Sequence, residues 1–353
     1  MLFYSVKPYL LTRSLQPENQ ETPIQFIETD FLSNDLFYRR NHFSYPLLSA
    51  ANYWIPLNGS VNTPILFSMQ DILQLPSKTI NVVLECAGNK RSLFEPKVFG
   101  EQWGKGAMSQ GIWKGAPLRA LLELAGIKDG ATEVVVEGYD FGKRTDLDHV
   151  FTFTRSLPIE KALHPDTIIA YEYNHQPIPF KHGFPLRLIV PQWYAMASVK
   201  WIKQITVIEQ NFTGPFQSID YVYYPHKETN KDARPVTTMN VNSTIQKPLD
   251  RDTLNTGKHL IKGIAWTGKG SITKVEVSTD NGQTWSNAKV DNGDYPGYEW
   301  VSWSHEWTIV EKGDYTIMSK ATDSFNRVQP TSPLWNRKGY GYNAVDEIVV
   351  KVE

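Results

Sequence analysis

Cysteine is almost missing from this chain: one residue, Cys86, in 353. A single thiol cannot close an internal disulfide, so no disulfide framework supports the fold. A zinc site built from four protein ligands would also want more cysteines than the chain owns. Long apolar runs are missing too, and none approaches the roughly 20 residues a membrane helix needs. Neither sign of charge is in excess, since 36 Lys and Arg stand against 37 Asp and Glu. A nucleic-acid binder usually carries a basic surplus, so that class of partner is not expected. The opening "MLFYSVKPYLLTRSLQPENQETPIQF" has no basic segment followed by a long apolar stretch. It does not read as a secretory signal, and the expected location is the cytoplasm, or the periplasm if a leader was trimmed. Tandem repeats and low-complexity tracts are missing as well.

What is present is the composition of a globular protein, 41% hydrophobic and 21% charged, in a chain long enough for two domains. Eleven Trp and 17 Tyr suggest large aromatic walls in cores or pockets. Residues 1–35 are polar and proline-punctuated and read as an extended arm. Residues 36–228 mix helix and strand signals. "DLFYRRNHFSYP" is strand-like over residues 38–42, and "NYWIPLNGSVNTP" predicts a hairpin at Asn58-Gly59 followed by a short helix. "GAPLRALLELAGI" predicts a helix with Leu118, Leu121, Leu122 and Ala125 on one face, closed by Gly126. "TEVVVEGYDFG", "DTIIAYEYNHQPIP", "PLRLIVP" and "SVKWIKQITVIEQ" read as strands. There is no regular βαβ alternation, so the expected class is a mixed α+β domain rather than a doubly wound sheet. Over residues 229–353 the helix signals vanish and apolar and polar residues alternate between glycine turns. This predicts an all-β sandwich of immunoglobulin-like size, joined by the linker "YPHKETNKDARPV".

The chemistry concentrates in "NVVLECAGNKRS", residues 81–92. An apolar strand delivers Cys86 into a glycine turn carrying Lys90 and Arg91. The bland reading is a buried structural thiol, because free cysteine is among the most buried residue types. Neighbouring cations instead lower a thiol pKa, and a thiolate is a nucleophile or a soft metal ligand. A nucleophile wants a base, and His42, His149, His164, His175 and His182 are candidates. "RRNH", "PFKHGFPLRLIVP" and "SVKW" supply Arg40, His42, His182, Arg187 and Lys200. Each is unremarkable alone, as a charged sheet edge or an exposed turn. Together with Lys90 and Arg91 they suit an anionic ligand such as a phosphate or an oxyanion. "STDNGQTW" matches an Asp-box, but one copy is chiefly a hairpin turn. "DNGDYPGY" also reads as a turn-rich loop.

Several of these motifs occur in a recognisable order. "FYRRNH", "LECAGNKRS", "FKHGFPLRLIVP" and "SVKWI" resemble the sulfite oxidase family of molybdenum enzymes. "IKGIAWTGKGSITKVEVSTDNGQTW", "SKATDSFNRVQP" and "LWNRKGY" resemble that family's C-terminal dimerisation domain. The resemblance implies a Mo-molybdopterin cofactor, no haem, and Cys86 as the one protein ligand to the metal. It implies contacts to the pterin and its phosphate from Tyr38, Arg39, Arg40, Asn41, His42, Asp140, His182, Arg187, Ser198, Val199 and Lys200. It implies a substrate pocket of Arg40, Arg91, Trp103 and Tyr221, with Arg337 or Lys338 reaching in from the second domain. Lys90 stands where the family usually has arginine, and "FGKRTDLDHVFTF" departs from the animal enzymes. The implied activity is oxidation of sulfite to sulfate, in a homodimer, with electrons passed to cytochrome c, oxygen or another carrier. A nitrate reductase-like or other oxyanion or sulfoxide reductase is the alternative within the scaffold. A binding module built on the sandwich is the alternative outside it.

Overall fold

The computed structural model describes residues 8–27, 31–144, 146–291 and 297–353. Strand dominates, and the α-helices among the described residues are short: Met69–Gln74, Leu118–Ala125 and Ile159–Ala162. None is long and apolar enough to cross a membrane.

The first domain is built on two five-stranded sheets. In one, Lys78–Glu85 pairs with Met108–Pro117, which pairs with Ile168–Tyr173, and this last strand also carries Gln176–Pro177 and Arg187–Ile189. In the other, Ile65–Ser68, Trp54–Gly59, Ile202–Ile208, Glu133–Arg144 and His149–Pro158 lie in that order. Their shared core includes Ile55, Leu57, Val83, Val134, Val136 and Ile205. The helix Leu118–Ala125 buries the four side chains its spacing predicts, and Gly126 caps it at φ 67°. Burial of each leucine stabilises by about 1.5–3 kcal/mol. The expected antiparallel pair forms, from Trp54 opposite Ser68 to Leu57 opposite Ile65, but Asn58-Gly59 is not its turn: both residues belong to the first strand, where they pair with Thr206 and Val207, and residues 60–64 make the connection.

The second domain is two sheets around one core. Asn242–Lys247, Gly257–Trp266, Val301–Ile309 and Lys289–Asp291 form the first. Asp346–Val352, Gly313–Asp323 and Ile272–Ser278 lead the second. Asp346–Val352 alternates strictly between buried and exposed, the period of two that the sequence shows. Ile261, Val275, Trp303, Ile317 and Ile348 fill the space between the sheets. The Asp-box is a turn: the Asp280 carboxylate accepts from the Thr284 amide at 2.9 Å and from the Ser278 hydroxyl at 2.7 Å. Residues 292–296 of the loop "DNGDYPGY" lie outside the described residues.

Three further local expectations fail. The arm is not extended: Leu11–Leu15 and Glu18–Glu21 pair as a hairpin that docks on the first domain. Glu18 bonds to Lys181, and Asn19 accepts the Asn41 amide. Residues 38–42 are not a strand but a single bridge, Gln20 to Arg39, because the arm supplies their backbone partners. Residues 198–200 precede the strand Ile202–Ile208 instead of lying in it. The Ser198 hydroxyl accepts the Val190 amide at 3.0 Å and so holds that segment against the core.

Candidate active site

The strand Lys78–Glu85 anchors the site. Val82, Val83 and Leu84 are fully buried, which fixes where the chain emerges. Cys86 comes next. Its amide donates to the Ala107 carbonyl at 2.9 Å, and its carbonyl accepts the Asn89 amide at 2.9 Å. Lys90 takes a left-handed backbone, φ 62°, and turns the chain into Arg91–Leu93. The thiol is 6% exposed. Burial pushes its pKa up, against Arg40 and Arg91, which pull it down. Lys90 does not act with them as expected, since its ammonium points away into the second domain and donates to Asn242.

Two cavities meet at Cys86. The inner one is lined by Tyr38, Asn41, Asp140, His182, Arg187, Ser198 and Lys200. The outer one is lined by Arg91, Arg144, Asp220, Lys338 and Tyr340. Arg40, His42, Cys86 and Tyr221 line both.

The inner cavity is cationic and incompletely bonded. The Arg187 guanidinium donates to the His182 carbonyl at 3.1 Å and lies over the Phe37 and Trp113 rings, while its Nε has no partner. His182 stacks on Phe37 at 4.3 Å, and burial holds its ring pKa well below the ordinary value. Gly183, φ 115°, lets these segments close up, since an added Cβ would lie 3.1 Å from Arg187 and 3.2 Å from Lys200. The Lys200 ammonium donates to the Arg40 carbonyl at 3.1 Å and to the Asn41 side chain. Asp140 falls where the pairing of Glu133–Arg144 with His149–Pro158 slips, a kind of irregularity that re-aims side chains. Its Oδ1 is buried without a partner. Burial raises the Asp140 carboxyl and lowers the Lys200 ammonium.

At the junction, the Tyr221 hydroxyl lies 2.8 Å from His42 Nε2. His42 stacks on Phe153 at 5.2 Å, and burial, then Arg40, keeps its pKa well below the ordinary value. Tyr221 stacks on Tyr340 at 5.3 Å. In the outer cavity, Arg91 Nε donates to the carbonyls of Lys338 at 3.0 Å and Gly339 at 3.2 Å, and Nη1 donates to the Glu101 carbonyl at 3.1 Å. Its guanidinium lies 5.0 Å from the Tyr340 ring centroid.

The structure thus gathers most of the anticipated residues and sets a few aside. Arg39 faces the arm, bonding Gln20 and Glu18. Val199 is buried in the core, and its carbonyl accepts the Leu188 amide at 2.8 Å. Trp103 is fully buried in the cluster that holds Cys86, behind the cavity walls, with no acceptor for its indole N–H. Lys338 reaches the outer cavity, whereas Arg337 turns away to Asn230 and the Tyr224 ring. Of the five candidate bases only His42 and His182 reach the site; His149 and His175 are exposed, and His164 accepts the Asp166 amide. Sequence reasoning missed Tyr340, whose "GYGY" setting between two positive-φ glycines was the available signal. It also missed Arg144, paired with Asp220 at the outer mouth, and Arg155, buried with its guanidinium 5.4 Å from the Tyr221 ring.

A polar ligand with an anionic end would satisfy Arg187 Nε and Asp140 Oδ1, and the cavity ends on a soft thiol. Among the described residues no three His, Cys, Asp or Glu side chains gather to hold a bare ion. The donor set therefore fits an organic group that brings its own metal ligands, as molybdopterin does.

Residues 42–216 match the family model "Oxidoreductase molybdopterin binding domain" and residues 233–353 match "Mo-co oxidoreductase dimerisation domain". The sulfite oxidase of Arabidopsis thaliana is 31% identical over 364 residues, covering 94% of this chain and 91% of that protein. The mitochondrial sulfite oxidase of Rattus norvegicus is 31% identical over 365 residues, and the chain spans 66% of its length. The NADH nitrate reductase of Solanum lycopersicum is 31% identical over 361 residues, with 39% of its length covered. The sulfane dehydrogenase SoxCD of Paracoccus pantotrophus shares the fold, with a TM-score of 0.83 at 24% identity over 100% of this chain and 89% of that one. Fold, cavity and matched domains together define a molybdopterin-binding oxidoreductase. Within that class, the chain belongs to the sulfite oxidase family.

Proposed function

We propose that this chain oxidises sulfite to sulfate and hands the electrons to a separate acceptor. The observation that carries the reading is the single thiol at the junction of two cavities, each lined by several cationic side chains. Bound there, the molybdenum cofactor would supply the two-electron redox chemistry. His182, Arg187, Ser198, Lys200 and Tyr38 would hold the pterin and its phosphate, and Cys86 would hold the metal.

Sulfite near neutral pH is a mixture of monoanion and dianion, anionic in either form. Arg40, Arg91 and Lys338 compensate that charge, and the planar guanidinium groups give it orientation. The Tyr221 hydroxyl, fixed by His42, donates a hydrogen bond to a substrate oxygen. The Tyr340 and Tyr221 rings wall the pocket and restrict water around these charges, which strengthens them.

Reduction of another oxyanion is the second reading, supported by the similarity to the nitrate reductase. The two-sheet second domain is read as immunoglobulin-like and as the contact of a homodimer. Assay of the purified, molybdenum-loaded protein with sulfite, comparing ferricyanide, cytochrome c and oxygen, tests the proposal. Turnover with sulfite and one molybdenum per chain is the expected result. Nitrate reduction with no sulfite turnover would favour the second reading.

A further inference from the structure

The segment that carries Cys86 is held by the second domain on both sides of the thiol. The Trp266 indole donates to Glu85 at 2.9 Å, and the Gly341 amide donates to the Ala87 carbonyl at 2.8 Å. The Lys90 ammonium donates to Asn242 Oδ1 at 2.8 Å and to the Ser243 carbonyl at 2.9 Å, and lies 3.4 Å from Asp346. Asp346 also pairs with Lys105 at 2.9 Å and accepts the Ile245 amide at 2.9 Å. Lys105 belongs to the segment that runs to Ala107, whose carbonyl receives the Cys86 amide. The two lysines therefore tie both backbone segments around the thiol to one carboxylate of the other domain.

This arrangement is costly as a stability device. Lys90 and Asp346 are sealed from water, and a buried ion pair often does no better than apolar side chains of the same volume. The left-handed backbone at Lys90 is a further cost for a non-glycine residue. Such a device is better explained by what it places. We propose that Lys90 and Asp346 are positioning residues: through them the second domain sets the depth of Cys86 and the aim of Arg91. The second domain is thus part of the active site's scaffold, independent of any role in dimerisation. The inference rests on the reading of Cys86 and Arg91 given above.

Because the chain has one cysteine, thiol alkylation reads this position alone. The experiment uses all 353 residues of the chain without cofactor, at fixed pH, so it does not depend on whether molybdenum binds. Lys90→Met keeps the volume and removes the charge. It is expected to raise the Cys86 alkylation rate roughly tenfold through added local opening, with global unfolding little changed. In the loaded enzyme it is expected to raise the sulfite KM more than it lowers kcat. Lys90→Arg restores the charge and should return both to near wild type. Equal alkylation rates and an unchanged KM in Lys90→Met would overturn the proposal. If that variant does not fold, amide exchange of the wild type decides. Residues 86–91 should exchange as slowly as the strand Asn242–Lys247 and open together with it, whereas a loop that exchanges far ahead of that strand overturns the inference.

Discussion

The Tyr221 hydroxyl sits 2.8 Å from His42 Nε2, at the point shared by the two cavities. Both groups are buried, so this contact fixes the hydroxyl that faces the substrate side. Tyr221→Phe removes one hydrogen bond to a charged ligand, worth about 1.5–3 kcal/mol. Sulfite kcat/KM should fall roughly ten- to a hundredfold. Unchanged steady-state kinetics would remove Tyr221 from the pocket.

Lys338 and Arg337 are neighbours in sequence that face opposite ways. Lys338→Met should raise the sulfite KM, because it strips a cation from the cavity wall. Arg337→Met should leave kinetics unchanged, since its guanidinium bonds Asn230 at the surface. Equal effects of the two substitutions would contradict the placement of this loop.

Arg91→Gln should raise KM sharply for the same electrostatic reason, by roughly tenfold or more. The variant also frees the carbonyls of Lys338, Gly339 and Glu101, so a modest loss of stability should accompany it. Calorimetry and initial rates separate the two effects.

His42 and His182 are held neutral, by burial first and by the surrounding cations second. Unfolded histidine titrates near 6.5, so below that pH the unfolded chain binds protons that the folded chain refuses. The contribution of these two histidines to the stability of the cofactor-free chain should be fully present above that point and fall as pH drops, whereas the raised carboxyls of Asp140 and Glu85 contribute with the opposite sign. Each residue contributes up to about 1.4 kcal/mol per pH unit. Denaturant titrations at pH 7.5 and 5.5 on wild type and His182→Gln isolate the histidine effect: the loss of stability on acidification should be smaller in the variant than in the wild type.

Much of this site was legible in the sequence because its key residues sit at the ends of strongly patterned strands. The apolar run ending at Glu85 and the short strand Arg187–Ile189 place Cys86 and Arg187 whatever the loops do. The alternation in Asp346–Val352 likewise declares a sheet. What escaped depended on partners far along the chain. Residues 38–42 look like a strand until the arm is seen to supply their backbone bonds. Lys90 reads as a cation that would acidify the thiol until Asp346 and Asn242 draw it away. Local periodicity also cannot tell Lys338 from Arg337, because positive-φ glycines at 339 and 341 set the path of that loop.

The central claim is the sulfur–metal contact at position 86. X-ray absorption at the molybdenum edge, on purified wild type and on the folded Cys86→Ser variant, tests it directly. The account predicts molybdenum in both proteins, one fewer sulfur around the metal in the variant, and loss of sulfite turnover. An identical sulfur count in the two proteins, or full turnover by the variant, would contradict it.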